Sequence, residues 1–143
     1  MSPLETRAWL VLGSMCPPYA VYFALQIGLP GQVAGLTVLE RFGCLAAAAC
    51  AHAVVYVTGL LLLKRRELGE TLLADERDRA IDSHATRGAY YALLAGMIVV
   101  GMVMPFTDGG WKVVNTALLV IVLSETLRNG LTVWGYRGAP RLA

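Results

Sequence analysis

Residues 74–84, Ala-Asp-Glu-Arg-Asp-Arg-Ala-Ile-Asp-Ser-His, hold a dense set of titratable side chains, and a second set, Glu125 and Arg128, stands in an apolar run near the C-terminus. Asp78, Asp82 and His84 would suit a metal ion if they shared a helix face. They do not: at 100° per residue His84 lies about 200° from Asp82, and the two carboxylates left together form a commonplace pattern. No Ser/His/Asp or Cys/His nucleophile set occurs in a water-accessible stretch. Cys16, Cys44 and Cys50 lie in or beside apolar runs without CxxC or Cys/His spacing, and they read as small core residues. Walker, dinucleotide and helix-turn-helix patterns are missing, and a net charge of +2 without a basic surface cluster gives no reason for direct nucleic-acid binding. The sequence therefore assigns no catalytic residue, no metal site and no cofactor. Ion pairing and recognition remain as the chemistry of these charges.

On a helix, Asp75, Asp78, Arg79 and Asp82 share one side, with Asp75 and Arg79 at the favourable acid-before-base spacing. Glu76, Ser83 and Arg87 lie toward the other side, and Ile81 points inward. Asp75 is the expected N-cap, and the acids of the first turn suit the positive end of the helix dipole. These acids outnumber what Arg77 and Arg79 can neutralise, so further arginines are expected from the same chain, a second copy or a soluble partner. Counted from Trp111, Glu125 lies about 21 Å along its helix, inside the bilayer rather than among headgroups. Pairing of Glu125 with Arg128 at i,i+3 is the cheapest solution, and contact of both with the start of the preceding helix is the alternative. His52 and Asn129 are the polar side chains expected to be buried in spans. His52 is expected to hydrogen-bond across the bundle, with a haem, metal or proton-relay role as the alternative.

The elements that position these groups follow from composition. With 143 residues, 57% of them hydrophobic and only 15% charged, and a mean hydropathy of +0.59, the chain is too apolar for a soluble domain, whose charged share is about 25%. The expected fold is all-α: a polytopic membrane protein, one four-transmembrane-helix bundle over residues 1–143. The spans fall at about residues 8–28, 43–63, 87–105 and 111–134, each long enough for a hydrocarbon core of about 30 Å. Pro17 and Pro18 should kink the first span and free carbonyls near residues 12–14. No cleavage site follows that run, so it is expected to remain as a permanent span. Residues 33–42 have helical apolar spacing and suggest an interfacial or continuing helix. Gly43, Ala47, Ala51, Val55 and Gly59 give the second span a flat face, Gly88, Ala92 and Gly96 do the same for the third, and Pro105 should end it. Trp111, Trp134 and Tyr136 fit interfacial belts.

The loop at residues 64–86, with Arg87 at its edge, holds 12 of the 22 Asp, Glu, Lys and Arg residues. Placing it and both termini in the cytoplasm puts ten of the 12 basic residues inside and leaves Arg41 and Lys112 outside, as the positive-inside rule requires.

The run DERDRAIDSHATRGAYYALL, residues 75–94, between the second and third of four spans, together with the closing WGYRG, residues 134–138, resembles a family of small bacterial four-span membrane proteins of unknown function marked by a DER(D/E)xxI motif. The matching positions are Asp75, Glu76, Arg77, Asp78 and Ile81, with Tyr136, Arg137 and Gly138 in a tail that has one arginine where two basic residues are expected. The resemblance implies a bacterial inner-membrane location. Such proteins often stand beside small helix-turn-helix regulators, which implies signalling or repressor control and brings no enzymatic activity. The expected function is that of a non-enzymatic membrane protein engaging a partner membrane or cytoplasmic protein, or a second copy of itself as a homo-oligomer. Its contact surface would be Asp75, Glu76, Arg77, Asp78, Arg79 and Asp82 with Glu125 and Arg128. The alternatives are a small proton-coupled transporter, with Glu125 titrating and His52 and the Pro17-Pro18 notch along its path, or an accessory subunit of a larger membrane complex.

Overall fold

A computed structural model describes residues 3–28, 35–67 and 76–138. Among them all regular structure is helical, in the order α1 (Pro3–Gly28), α2 (Val38–Glu67), α3 (Glu76–Ile98) and α4 (Gly110–Gly138), with α3 continuing through a π-helical segment (Val99–Val103) into a final turn (Met104–Thr107). Four helices, the third running from Glu76 to Thr107, are long and apolar enough to cross a membrane. The all-α, four-span expectation is thus met. The expected N-cap Asp75 lies outside the described residues.

Local chemistry sets the boundaries. Pro3 opens α1, where its missing N–H removes a donor that would have no helical acceptor. The helix runs unbroken through Pro17 and Pro18, whose rings withdraw the N–H groups owed to the carbonyls of Gly13 and Ser14. α2 begins later than the apolar spacing suggested because Thr37 and Glu40 form a capping box. The Glu40 N–H donates to Thr37 Oγ1 at 3.3 Å, while the Thr37 N–H and hydroxyl each donate to Glu40 Oε2 at 2.8 Å. Residues 38–42, expected as a separate or continuing helix, are the first turns of α2 itself. Pro105 does not end the third helix as expected. The Met104 N–H reaches back to the Val99 carbonyl in the π segment, and this wider turn admits the proline ring before the chain leaves the helix at Asp108.

The chain divides into two compact units, Met1–Trp9 with Leu72–Ala143, and Leu10–Thr71. In the first, α3 and α4 form an antiparallel hairpin whose turn is held by Asp108. Its N–H donates to the Met104 carbonyl at 2.8 Å, and its carboxylate accepts from Lys112 Nζ and from the Thr107 hydroxyl, each at 3.1 Å. These donors hold the Asp108 carboxyl below the usual range, Lys112 contributing most. Along the hairpin small residues bring the backbones together. Ala85 and Ala89 are 0% and 7% exposed, and a Cβ on Gly88 would stand 3.0 Å from Leu131 Cδ1. One on Gly135 would stand 2.9 Å from Ile81 Cγ2, and one on Gly96 would be 2.8 Å from Val120 Cγ2.

In the second unit Gly59 of α2 lies against Leu10, whose Cδ2 would be 3.2 Å from an added Cβ. Of the five small residues on that face of α2, Gly59 alone is even half-covered; Gly43, Ala47, Ala51 and Val55 are exposed. The cysteines depart from expectation too. Cys16 is half-buried, whereas Cys44 and Cys50 are exposed on α2 rather than in a core.

Candidate functional site

The charged motif and the polar end of α4 come together, because the hairpin register set by the glycines places the start of α3 beside the last turns of α4. Arg128 Nη2 donates to Asp82 Oδ1 at 3.2 Å, and two turns further out the Tyr136 hydroxyl donates to Asp78 Oδ1. The pairing of Arg128 with Glu125 expected from their i,i+3 spacing is replaced by the interhelical one. An aspartate offered from α3 lets the guanidinium bridge two helices instead of closing a loop on its own. Among the described residues no ion pair or hydrogen bond engages the Glu125 carboxylate, which is half-buried on α4.

The other motif residues divide by face. Glu76, Arg77 and Arg79 are exposed, as are Ser83, His84 and Arg87. Arg79 was expected on the same side as Asp78 and Asp82; it lies at the flank of that side, and its proposed partner Asp75 is outside the described residues. The two acids that point at α4 are thus consumed within the hairpin, while three arginines of the motif helix stay in solvent.

Four of the polar side chains of α4 donate to its own backbone. Ser124 donates to the Val120 carbonyl at 2.8 Å, Thr126 to Val122 at 2.7 Å, Asn129 Nδ2 to Glu125 at 2.8 Å and Thr132 to Arg128 at 3.0 Å. Back-bonding of this kind lets a span carry hydroxyls and amides without a partner helix. Asn129 is half-buried, and among the described residues its hydrogen bond is to its own helix rather than to another.

At the N-terminal end of α1, Glu5 is 9% exposed and lies 3.9 Å from Arg137 Nε, while the Arg137 guanidinium stacks 5.2 Å above the Trp9 ring. Glu5 and Trp9 were not singled out in the sequence. Arg137 was, as part of the tail. A lone acid two residues before Arg7 gives no periodic signal, and only the fold reveals its burial.

Between His84 of α3 and the end of α4 there is a shallow cleft of about 450 Å³, lined by His84, Leu131, Trp134, Gly135 and Gly138. Trp134 is 70% exposed beside it.

His52, in the second unit, meets the Tyr19 ring edge-on at 5.8 Å between centroids and the Tyr56 ring at 6.2 Å. Its expected hydrogen bond across the bundle is replaced by aromatic contacts, with Tyr19 supplied by the turn after Pro17 and Pro18. Among the described residues no three His, Cys, Asp or Glu side chains gather as a metal site would require.

No family model, curated protein or solved structure matches the chain.

Proposed function

We propose that the chain is a non-enzymatic integral membrane protein that engages a partner protein, or a second copy of itself, through the exposed side of its motif helix. The observation that carries this reading is the division of the motif. Asp78 and Asp82 are tied to α4 by Tyr136 and Arg128, which fixes the helix as a stiff extension of a span and leaves Glu76 and Arg79 exposed. A rigid helix with fixed outward charges discriminates partners by electrostatic complementarity. The motif belongs on the cytoplasmic side with both termini, in a bacterial inner membrane, as the basic-residue bias and the resemblance to the DER(D/E)xxI family suggest. The four uncovered small residues of α2, Gly43, Ala47, Ala51 and Val55, favour a second copy as the intramembrane partner.

The test is recovery of partners from native membranes in mild detergent with a tagged chain. Charge reversal by Glu76→Lys with Arg79→Glu should lower recovery while helix content is unchanged. Recovery equal to that of the wild type overturns the proposal.

A second reading, proton-coupled transport, is favoured by one observation: Arg128 turns to Asp82 and leaves the Glu125 carboxylate without an ion pair within α4. Glu125→Gln should then abolish proton-coupled flux in vesicles, and flux that survives the substitution removes this reading.

A further inference from the structure

We infer that the flank of α3 bearing Arg77, His84 and Arg87, together with the cleft that His84 shares with α4, seats the headgroup of an anionic phospholipid. The three side chains are exposed and fall within about 80° of one another around the helix. Of the three acids of α3, Asp82 is paired with Arg128, and Asp78 keeps its charge but is turned toward α4, where it accepts from Tyr136; Glu76 is exposed. Among the described residues neither Arg77 nor Arg87 forms an ion pair, and Glu76, about 20° from Arg87 around the helix, is the one exposed acid that opposes them, so the flank keeps one positive charge in excess. Arg137 adds nothing to it, being turned toward Glu5 and Trp9.

The cleft supplies the other half of an amphiphile's chemistry. Leu131 and the exposed Trp134 ring make an apolar wall, and Gly135 and Gly138 keep the floor open. A Cβ on Gly138 would stand 3.1 Å from Trp134 Nε1, so a larger residue there would displace the indole. Charge and apolar wall are stacked along the helix: Arg77 lies about 10 Å to one side of His84 and Arg87 about 4.5 Å to the other, on the side leading into the span. An acidic soluble protein needs the arginines but not an apolar wall continuing into hydrocarbon. A phospholipid uses both, its phosphate between the arginines and its glycerol and upper acyl chain along Leu131 and Trp134. The placement in the cytoplasmic leaflet rests on the topology proposed above; the lipid preference itself does not.

The experiment is native mass spectrometry of the full chain in mild detergent with equimolar dioleoyl phosphatidylglycerol and phosphatidylcholine. Wild type should retain phosphatidylglycerol preferentially. Arg77→Gln with Arg87→Gln should cut that preference at least about fivefold, as expected for basic residues acting on an anionic lipid surface. Trp134→Ala should lower retention of both lipids, and Lys64→Gln with Arg65→Gln, which are not among the cleft's lining residues, should change neither. Equal retention by wild type, an equal loss from the Lys64/Arg65 variant, or displacement of the lipid by millimolar inorganic phosphate overturns the inference. So does capture of an acidic protein through Arg77 and Arg87 without lipid preference. The Glu76→Lys, Arg79→Glu variant should keep its lipid preference, which separates failure of the partner surface from failure of the lipid seat.

Discussion

Replacing Gly96 by alanine places a methyl group 2.8 Å from Val120 Cγ2 and 3.2 Å from Val120 Cβ. Favourable carbon contacts begin at about 3.5 Å, so one side must move. Val120 is β-branched and has one strongly preferred rotamer in a helix, which leaves separation of α3 from α4 as the available response. Overpacking of this kind costs about 1–3 kcal/mol. Alanine also recovers about 1 kcal/mol of intrinsic helix preference, so the net loss should be no more than about 2 kcal/mol. Gly130 isolates the terms, because an added Cβ there has nothing within 4 Å. Gly130→Ala should stabilise by up to about 1 kcal/mol, and the preference cancels in the comparison. The two variants should therefore differ by the overpacking cost alone, about 1–3 kcal/mol. Gly59→Ala should fall between them, since its neighbour Leu10 presents the ends of a side chain that can rotate away. Unfolding of the three variants in one detergent, followed by circular dichroism, gives the order directly. A Gly96→Ala protein as stable as Gly130→Ala would refute the close approach of α3 and α4 on which the motif's placement depends.

Tyr136→Phe removes the donor to Asp78 and should cost about 0.5–1.5 kcal/mol in the same assay. The loss should shrink in an Asp78→Asn background if the two groups act as a pair, and additive losses would contradict that. The Asp82 and Arg128 side chains are 44% and 42% exposed, so a double-mutant cycle with Asp82→Asn and Arg128→Gln should give a coupling of only about 0.2–1 kcal/mol. A coupling of several kcal/mol would place the pair in hydrocarbon rather than at the interface. The Asp108 carboxyl is held below its ordinary value of about 3.9 by Lys112 and Thr107. A depressed folded value means that the turn's stabilisation is fully present above about pH 4 and is lost as pH falls through the folded value. Carbon-13 titration of the Asp108 carboxyl should show the low midpoint in wild type and its rise toward the ordinary value in Lys112→Ala, where the Thr107 hydroxyl still donates; a midpoint already ordinary in wild type refutes the pairing.

What the sequence made legible follows from which physical constraints are local. Span length and mean hydropathy are properties of short windows, so four helices could be read before any packing was known. The capping box Thr37-Val38-Leu39-Glu40 was also local and legible as Thr-x-x-Glu, yet apolar spacing through residues 33–42 drew the helix start too early. Pro105 misled for the opposite reason. A proline usually ends a helix, but a π turn ahead of it absorbs the ring, and whether one forms depends on packing. The partner of Arg128 was not legible, because helical phase permits both Glu125 three residues away and any acid on a neighbouring helix. Interhelical register decides, and that register is set by Gly88, Gly96 and Gly135 against Leu131, Val120 and Ile81.

That dependence changes how the motif's composition should be weighed. Counted along the chain, the run from Glu76 to Arg87 is nearly neutral, with three acids against three arginines. Counted by exposure it is not, since Asp78 and Asp82 face α4 and are met there by Tyr136 and Arg128. The chemistry offered outward is therefore that of Arg77, Arg79 and Arg87 with Glu76 alone opposing them. A partner selected by this surface must be anionic where Arg77 and Arg87 lie, and it can read a mixed pair where Glu76 and Arg79 lie. Arg77 and Arg79 lie about 160° apart around the helix, so one helix can serve the membrane beside Arg77 and a protein beside Arg79, with Glu76 and Arg87 on the outward side between them, provided its inward face is fixed. Asp78 and Asp82 supply that fixation, so their substitution should disturb both surfaces together, whereas substitution of either set of outward charges should disturb one.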